Sequence, residues 1–190
     1  MKKISAKDIL IPTVSLVIIC FVISLFISAT NFVTKDIIKQ QELENQKESR
    51  KVVLQSAVDF KEYEAIDDCY IGYDENGKVV GYTFITQAKG YGGAITVMTG
   101  ISSDAEVQGV EILLQNETPG LGANAENSEF KDQYKQNVPK GGFKVIKSKN
   151  TDEGEIEAIT GATISSKAVT EAVNSALDRY NSIAKDGGVS

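Results

Sequence analysis

Between Ile9 and Thr34 the chain carries no Lys, Arg, Asp or Glu for 26 residues, and the 21 residues from Ile9 to Ala29 (ILIPTVSLVIICFVISLFISA) are aliphatic almost throughout. A helix rises about 1.5 Å per residue, so a segment of this length reaches about 30 Å, the thickness of a bilayer's hydrocarbon core. Pro12 falls in the first turn, where the amide hydrogen it lacks would have had no helical partner. A cleaved export signal has an apolar core of about 7 to 15 residues followed by a small-x-small site. Here the core is longer, Ser28-Ala29-Thr30 fits such a site poorly, and Ile19 before Cys20 does not suit a lipoprotein signal. The segment predicts an uncleaved single-pass anchor over 9–29, with residues 1–8 on its amino side. Lys2, Lys3 and Lys7 place that side in the cytoplasm, and the rest of the chain on the outer face of the cell membrane.

Beyond Thr34 the chain carries 17 Lys and Arg against 25 Asp and Glu, within a net charge of −6 for the whole. An acidic domain keeps off both phosphate backbones and anionic lipid, so nucleic acid is not an expected partner. There is no histidine. That excludes Ser-His-Asp and Cys-His catalysis, imidazole-bound zinc and His-ligated haem together. The two cysteines, Cys20 and Cys69, are too far apart for a CxxC pair, an iron–sulfur motif or a disulfide framework. Cys69 is expected as a small buried residue. With no metal site and no catalytic acid/base pair of its own in view, such a chain either does no acid–base chemistry or borrows its chemistry from a cofactor.

Periodicity predicts an α+β domain, an antiparallel sheet with flanking helices. Residues 30–60 read as a polar stalk running into a first helix, with Val52, Val53, Leu54, Ala57 and Val58 at helical spacing. Tyr70–Tyr73 and Lys78–Thr86 read as strands joined through Asn76-Gly77, a pair suited to a type I′ turn. Gly90–Gly93 is a glycine turn, and alternation predicts strands over Ile95–Ile101 and Val107–Leu114. Gln115–Glu126 is a loop. A short helix over Asn127–Tyr134 and a strand over Phe143–Lys147 then lead to a helix over Ile164–Ile183, whose Ile164, Ala168, Val169, Ala172, Val173, Ala176, Leu177 and Tyr180 make one apolar stripe. The tail, 185–190, is expected to fray.

Directly before that helix stands Glu157-Ala158-Ile159-Thr160-Gly161-Ala162-Thr163, followed by Ile164-Ser165-Ser166-Lys167. A helix amino end offers unpaired amides and about half a positive charge, so an anion at Thr163 would be stabilised there. Gly161 permits close approach or positive φ. Ser165 and Ser166 can donate to phosphate oxygens, with Lys167 as a nearby cation; equally, the hydroxyls can serve only as helix caps.

This sequence resembles the FMN-binding domain family found in the G subunit of Rnf complexes and the C subunit of the sodium-pumping NADH:quinone reductase. The family's motif is Asp-x-x-Ser/Thr-Gly-Ala-Thr, matched here by Thr160-Gly161-Ala162-Thr163, with Glu157 in place of the usual Asp. Glu117-Thr118-Pro119-Gly120-Leu121-Gly122 looks like its E-T-P-G-L-G loop, and Gly90-Tyr91-Gly92-Gly93 resembles its glycine turn. The resemblance covers essentially the whole chain. It implies one FMN per chain, joined through a phosphoester to Thr163 by a separate flavin transferase, on a domain spanning 61–184. It further implies an electron-relay subunit in an Rnf-type ferredoxin:NAD+ oxidoreductase complex that moves ions, with the other membrane and redox subunits as partners. The C subunit of the quinone reductase and a flavin-free anchored binding domain are the alternatives.

The loop has its own physical reading. Pro119 fixes φ, Gly120 and Gly122 let backbone amides approach a flat ring, and Leu121 can cover one ring face. Such a Pro-Gly loop also serves as an ordinary surface turn. Tyr91 either stacks on a flavin or belongs to the core.

Overall fold

A computed structural model describes residues 6–147 and 152–185. The chain divides into two units, residues 1–44 and 45–190. The expected tail beyond Lys185 and the first five residues lie outside the described residues.

Helix α1 runs without a break over Ala6–Val53. Anchor, stalk and first helix are therefore one element. In the first unit its apolar side chains are exposed on every side, among them Leu10, Phe21, Leu25, Phe26 and Phe32. A helix that exposes apolar side chains all round is what a bilayer accepts, and this one is long and apolar enough to cross a membrane. Thr13, Thr30 and Thr34 turn their hydroxyls back onto the carbonyls four residues earlier, which leaves no side-chain polarity unpaired at those points.

In the second unit, α1 ends at Val53, with Arg50 and Lys51 in its last turn where cations suit the helix dipole. The expectation of helix through Val58 fails here. Asp59–Glu62 is instead a strand, β1, paired antiparallel with β2 (Cys69–Tyr73). Strands β3 (Val79–Lys89), β4 (Ala94–Ser102) and β5 (Val107–Leu114) complete a five-stranded antiparallel meander in the order β1-β2-β3-β4-β5. The β2–β3 connection is not a type I′ turn, because Asn76 stays out of the positive φ region and only Gly77 enters it. Asp74 organises it instead, its Oδ1 accepting from the amides of Asn76 and Lys78 at 2.8 and 2.9 Å. Those bonds hold the Asp74 carboxyl below its ordinary range.

Strand β4 is buried from Ile95 to Ser102 rather than alternately, because both faces of the sheet are covered. On one face lies helix α3 (Thr163–Lys185), whose Ala168, Val169, Ala172, Val173, Ala176, Leu177 and Tyr180 pack with Tyr82, Phe84, Val97, Ile101 and Val110. Each fully buried Val or Leu in such a stripe is worth roughly 1.5–3 kcal/mol. Thr86 ties strand to helix, its hydroxyl donating to the Ala172 carbonyl at 2.8 Å. On the other face the end of α1 packs Val53 against Ile85 and Met98. Glycines from four strands, Gly72, Gly81, Gly100 and Gly109, lie beneath Val53 and Leu54 and leave room for them.

After β5 the expected loop contains a 3-10 turn (Gly122–Glu126), and the short helix expected over Asn127–Tyr134 is a single helical turn α2 (Ser128–Lys131) followed by a second 3-10 turn (Asp132–Tyr134). Strands β6 (Lys144–Ile146) and β7 (Glu155–Glu157) form a parallel pair. β7 leads straight into the turn that precedes α3.

Candidate functional site

Two tight turns face each other at the amino end of α3. In the first, the Leu121 amide donates to the Thr118 carbonyl at 3.1 Å with Pro119 and Gly120 between them, and Gly120 has φ +77. In the second, the Ala162 amide donates to the Ile159 carbonyl at 2.9 Å across Thr160 and Gly161, with Gly161 also at φ +77. A glycine with positive φ at the third position is the pattern of a type II turn, which explains both Gly120 and Gly161. The turns are close. A Cβ on Gly161 would lie 3.2 Å from the Leu121 Cδ2.

The cavity between them has a volume of about 530 Å³. Its walls are Glu117, Thr118, Leu121 and Gly122 from the loop, Gly161 to Ser165 from the turn and helix, and Tyr91 from the β3–β4 connection. Leu121, Ile164 and Tyr91 form an exposed apolar rim, Tyr91 being 74% exposed. Tyr91 therefore stands out in solvent at the cavity mouth and does not belong to the core.

The helix end opens into this cavity. Ala162 is the cap residue, its carbonyl accepting the first helical bond from the Ser166 amide at 3.0 Å. Alanine is among the poorest caps because it has no side-chain oxygen to offer the first-turn amides. The amides of Thr163, Ile164 and Ser165 accordingly have no acceptor among the described residues. The Thr163 hydroxyl also makes no hydrogen bond there and is half-buried on the cavity wall. Among the described residues no Lys or Arg lines the cavity. An anion at this point would be held by amides and the helix dipole rather than by a cation.

The remaining candidates divide. Ser165 lines the cavity, but its hydroxyl donates to the Glu117 carboxylate at 2.5 Å. Ser166 faces inward: its Oγ accepts from the Ile159 amide and donates to the Ala162 carbonyl, both at 3.0 Å. Both hydroxyls are engaged within the protein. Lys167 lies outside the cavity, on a groove shared with Phe143, Glu171 and Asp178, because the fifth position of the helix has turned away. Thr160 and Gly120 line a separate hollow with Glu157 and Gln133, and Pro119 lines neither.

Two features escape sequence reasoning. Gly92 presents its amide to Glu117 Oε1 at 2.9 Å. Gln133 clamps the backbone of Glu157, accepting from its amide at 2.7 Å and donating to its carbonyl at 3.4 Å. Neither has a local signal, since each joins residues 24 or more apart in the chain.

A helix end with open amides beside a cavity rimmed by apolar side chains suits an anionic ligand with a flat apolar part, and residues 90–178 match the FMN-binding domain family. The whole chain belongs to the family of G subunits of ion-translocating oxidoreductase complexes. It is 38% identical to the G subunit of the Na(+)-translocating ferredoxin:NAD(+) oxidoreductase complex of Acetobacterium woodii, over 88% of this chain and 91% of that protein. It is 35% identical to the proton-translocating counterpart of Clostridium ljungdahlii, over 88% of this chain and 89% of that one. The G subunit of the ion-translocating oxidoreductase complex of Methanosarcina acetivorans is 36% identical, over 91% and 95%. Among solved structures, the C subunit of the Na(+)-translocating NADH-quinone reductase of Parabacteroides distasonis has the same fold, with a TM-score of 0.54 at 20% identity over 71% of this chain and 89% of that one.

Proposed function

We propose that this chain carries one FMN in phosphoester linkage to the Thr163 hydroxyl and relays electrons within a membrane-bound ferredoxin:NAD+ oxidoreductase complex that transports ions. The observation that carries the reading is the Thr163 hydroxyl itself, on the wall of a cavity and, among the described residues, free of partners beside three unpaired helix amides. When bound, the isoalloxazine supplies one- and two-electron transfer. The chain's own residues hold and orient it. The amides of Thr163, Ile164 and Ser165 would hold the phosphate, Gly161 and Gly122 keep the walls low, and Leu121 and Tyr91 would offer apolar surface to the ring. With no charged donor at the cavity among the described residues, the helix end would supply the electrostatic complement to the phosphate.

Relatives named as members of multi-subunit complexes support the remaining membrane and redox subunits as partners. A flavin transferase is the partner that installs the cofactor. The three lysines ahead of the apolar segment support a cytoplasmic amino end and an outward-facing domain.

The test is coexpression of the full chain with a flavin transferase, followed by fluorescence on a denaturing gel and intact-mass measurement. Wild type should gain the mass of one FMN less one water, mapped to the peptide containing Thr163, and Thr163→Ala should gain nothing. Equal fluorescence from both chains sinks the assignment. A colourless wild-type chain favours a flavin-free binding domain.

A further inference from the structure

The cavity draws its walls from three stretches of chain: the Gly90–Gly93 turn, the Glu117–Gly122 loop and the amino end of α3. One side chain joins all three. Glu117 is only 6% exposed; its Oε1 accepts from the Gly92 amide at 2.9 Å and its Oε2 from the Ser165 hydroxyl at 2.5 Å. The protein is shaped around this carboxylate. A Cβ on Gly90 would collide with Oε1, and a Cβ on Gly122 would lie 2.5 Å from Oε2. No Lys or Arg among the described residues forms an ion pair with it.

A buried acid without a cation is an expensive way to fill space, since an apolar side chain of similar volume packs at less cost. What the carboxylate adds is a fixed geometry between its two donors. Tyr91 directly precedes Gly92, and Thr163 stands two residues before Ser165. Holding Gly92 and Ser165 therefore sets the aromatic on one wall against the hydroxyl on the other.

We propose that Glu117 is the positioning residue of this cavity, holding the Tyr91 turn and the Thr163 helix end in the register that a flat ring with a phosphate tail requires. It acts through Gly92 and Ser165, and its carboxylate oxygens do not contact the ligand. This rests on the flavin reading of Thr163 given above.

The experiment compares Glu117→Ala, Glu117→Gln and Ser165→Ala in the full chain, coexpressed with a flavin transferase. Covalent load is read by intact mass, and ring environment by the fluorescence and visible absorption of the attached flavin. Misplacing a reacting group by about 1 Å costs on the order of a hundredfold in rate, so Glu117→Ala should slow attachment by at least about tenfold. The flavin it does carry should fluoresce as free FMN does. Glu117→Gln should restore load and spectrum, because an amide in the same plane still accepts from Gly92 and donates to the Ser165 oxygen. Ser165→Ala should keep the Gly92 arm and shift the spectrum part of the way. A Glu117→Ala chain that melts at lower temperature yet matches wild type in load and spectrum while folded overturns the proposal. If that variant does not accumulate, Ser165→Ala decides, and an unchanged load and spectrum there overturns it as well. A wild-type chain without flavin at Thr163 overturns both readings; one with flavin beside an unaltered Glu117→Ala overturns this one alone.

Discussion

The carbonyl oxygen of Val53 occupies the place where a side chain on Gly100 would begin. Gly109, paired with Gly100 across β4 and β5, also lies against the same residue, its Cβ position 2.8 Å from the Val53 Cα. These neighbours are backbone atoms and cannot rotate away. Gly100→Ala must therefore lift the end of α1 from the sheet and expose Val53 and Met98, both wholly buried. With overpacking costing about 1–3 kcal/mol, we expect a loss in that range in urea unfolding of the full chain in detergent. Gly141→Ala, which meets nothing within 4 Å, should leave the midpoint nearly unchanged.

That contact also marks where sequence reading stops. The stripe of α3 and the strands β2 to β5 were legible because each has a period that repeats over several residues. β1 and β7 were not, being four and three residues long and carrying charges at Asp59, Lys61, Glu62, Glu155 and Glu157. They are strands because neighbours supply partners, which is tertiary information. Likewise Ala57 is buried as a helical pattern would have it, yet it sits in a turn after α1. At the candidate site, the motifs single out Thr163, Gly161, Leu121 and Gly122, which the fold brings to one cavity. The inward turn of Ser165 and Ser166 was not, because their partners, Glu117 and Ile159, are fixed by a loop and a turn outside the helix.

Ser166 is wholly buried and answers two backbone groups at once, the Ile159 amide and the Ala162 carbonyl. Ser166→Ala leaves the Ile159 amide without a partner, a penalty of about 1–3 kcal/mol. We expect that loss in urea unfolding, together with a lower flavin load, since the turn that presents Thr163 is held by this hydroxyl. Ser166→Thr tests hydroxyl against shape: recovered load assigns the effect to the hydrogen bonds.

Burial pushes the Cys69 thiol up to about 12 from an ordinary 9.0, with Arg179 opposing the rise. Burial also raises Tyr134, against a hydrogen bond with Thr170. The folded chain then keeps these protons to higher pH than the unfolded chain does. Their stabilisation is complete below about pH 9 and is lost as pH climbs toward 12. Melting temperature should fall as pH rises above about 9, and Cys69→Ala should flatten part of the fall. Cys69 is wholly buried and its thiol is held protonated, so alkylation of Cys69 should require unfolding, as peptide mass measurement can check.

Ala162 caps a helix of 23 residues without a side-chain oxygen, at the point where three amides open into the cavity. For the flavin-free chain alone this is a poor choice: serine at a cap is worth about 1 kcal/mol more than alanine. The choice makes sense if a ligand phosphate takes the same amides. Ala162→Ser should then act in opposite directions on two measurements. Without flavin transferase, the variant should melt at a higher temperature than wild type, because the serine oxygen accepts from the first-turn amides. With the transferase, it should load flavin more slowly, because that oxygen competes with the phosphate for the same donors. A variant that gains stability and loads flavin at the wild-type rate would show that these amides do not bind the phosphate, and would move the anion site elsewhere while leaving Thr163 as the attachment residue.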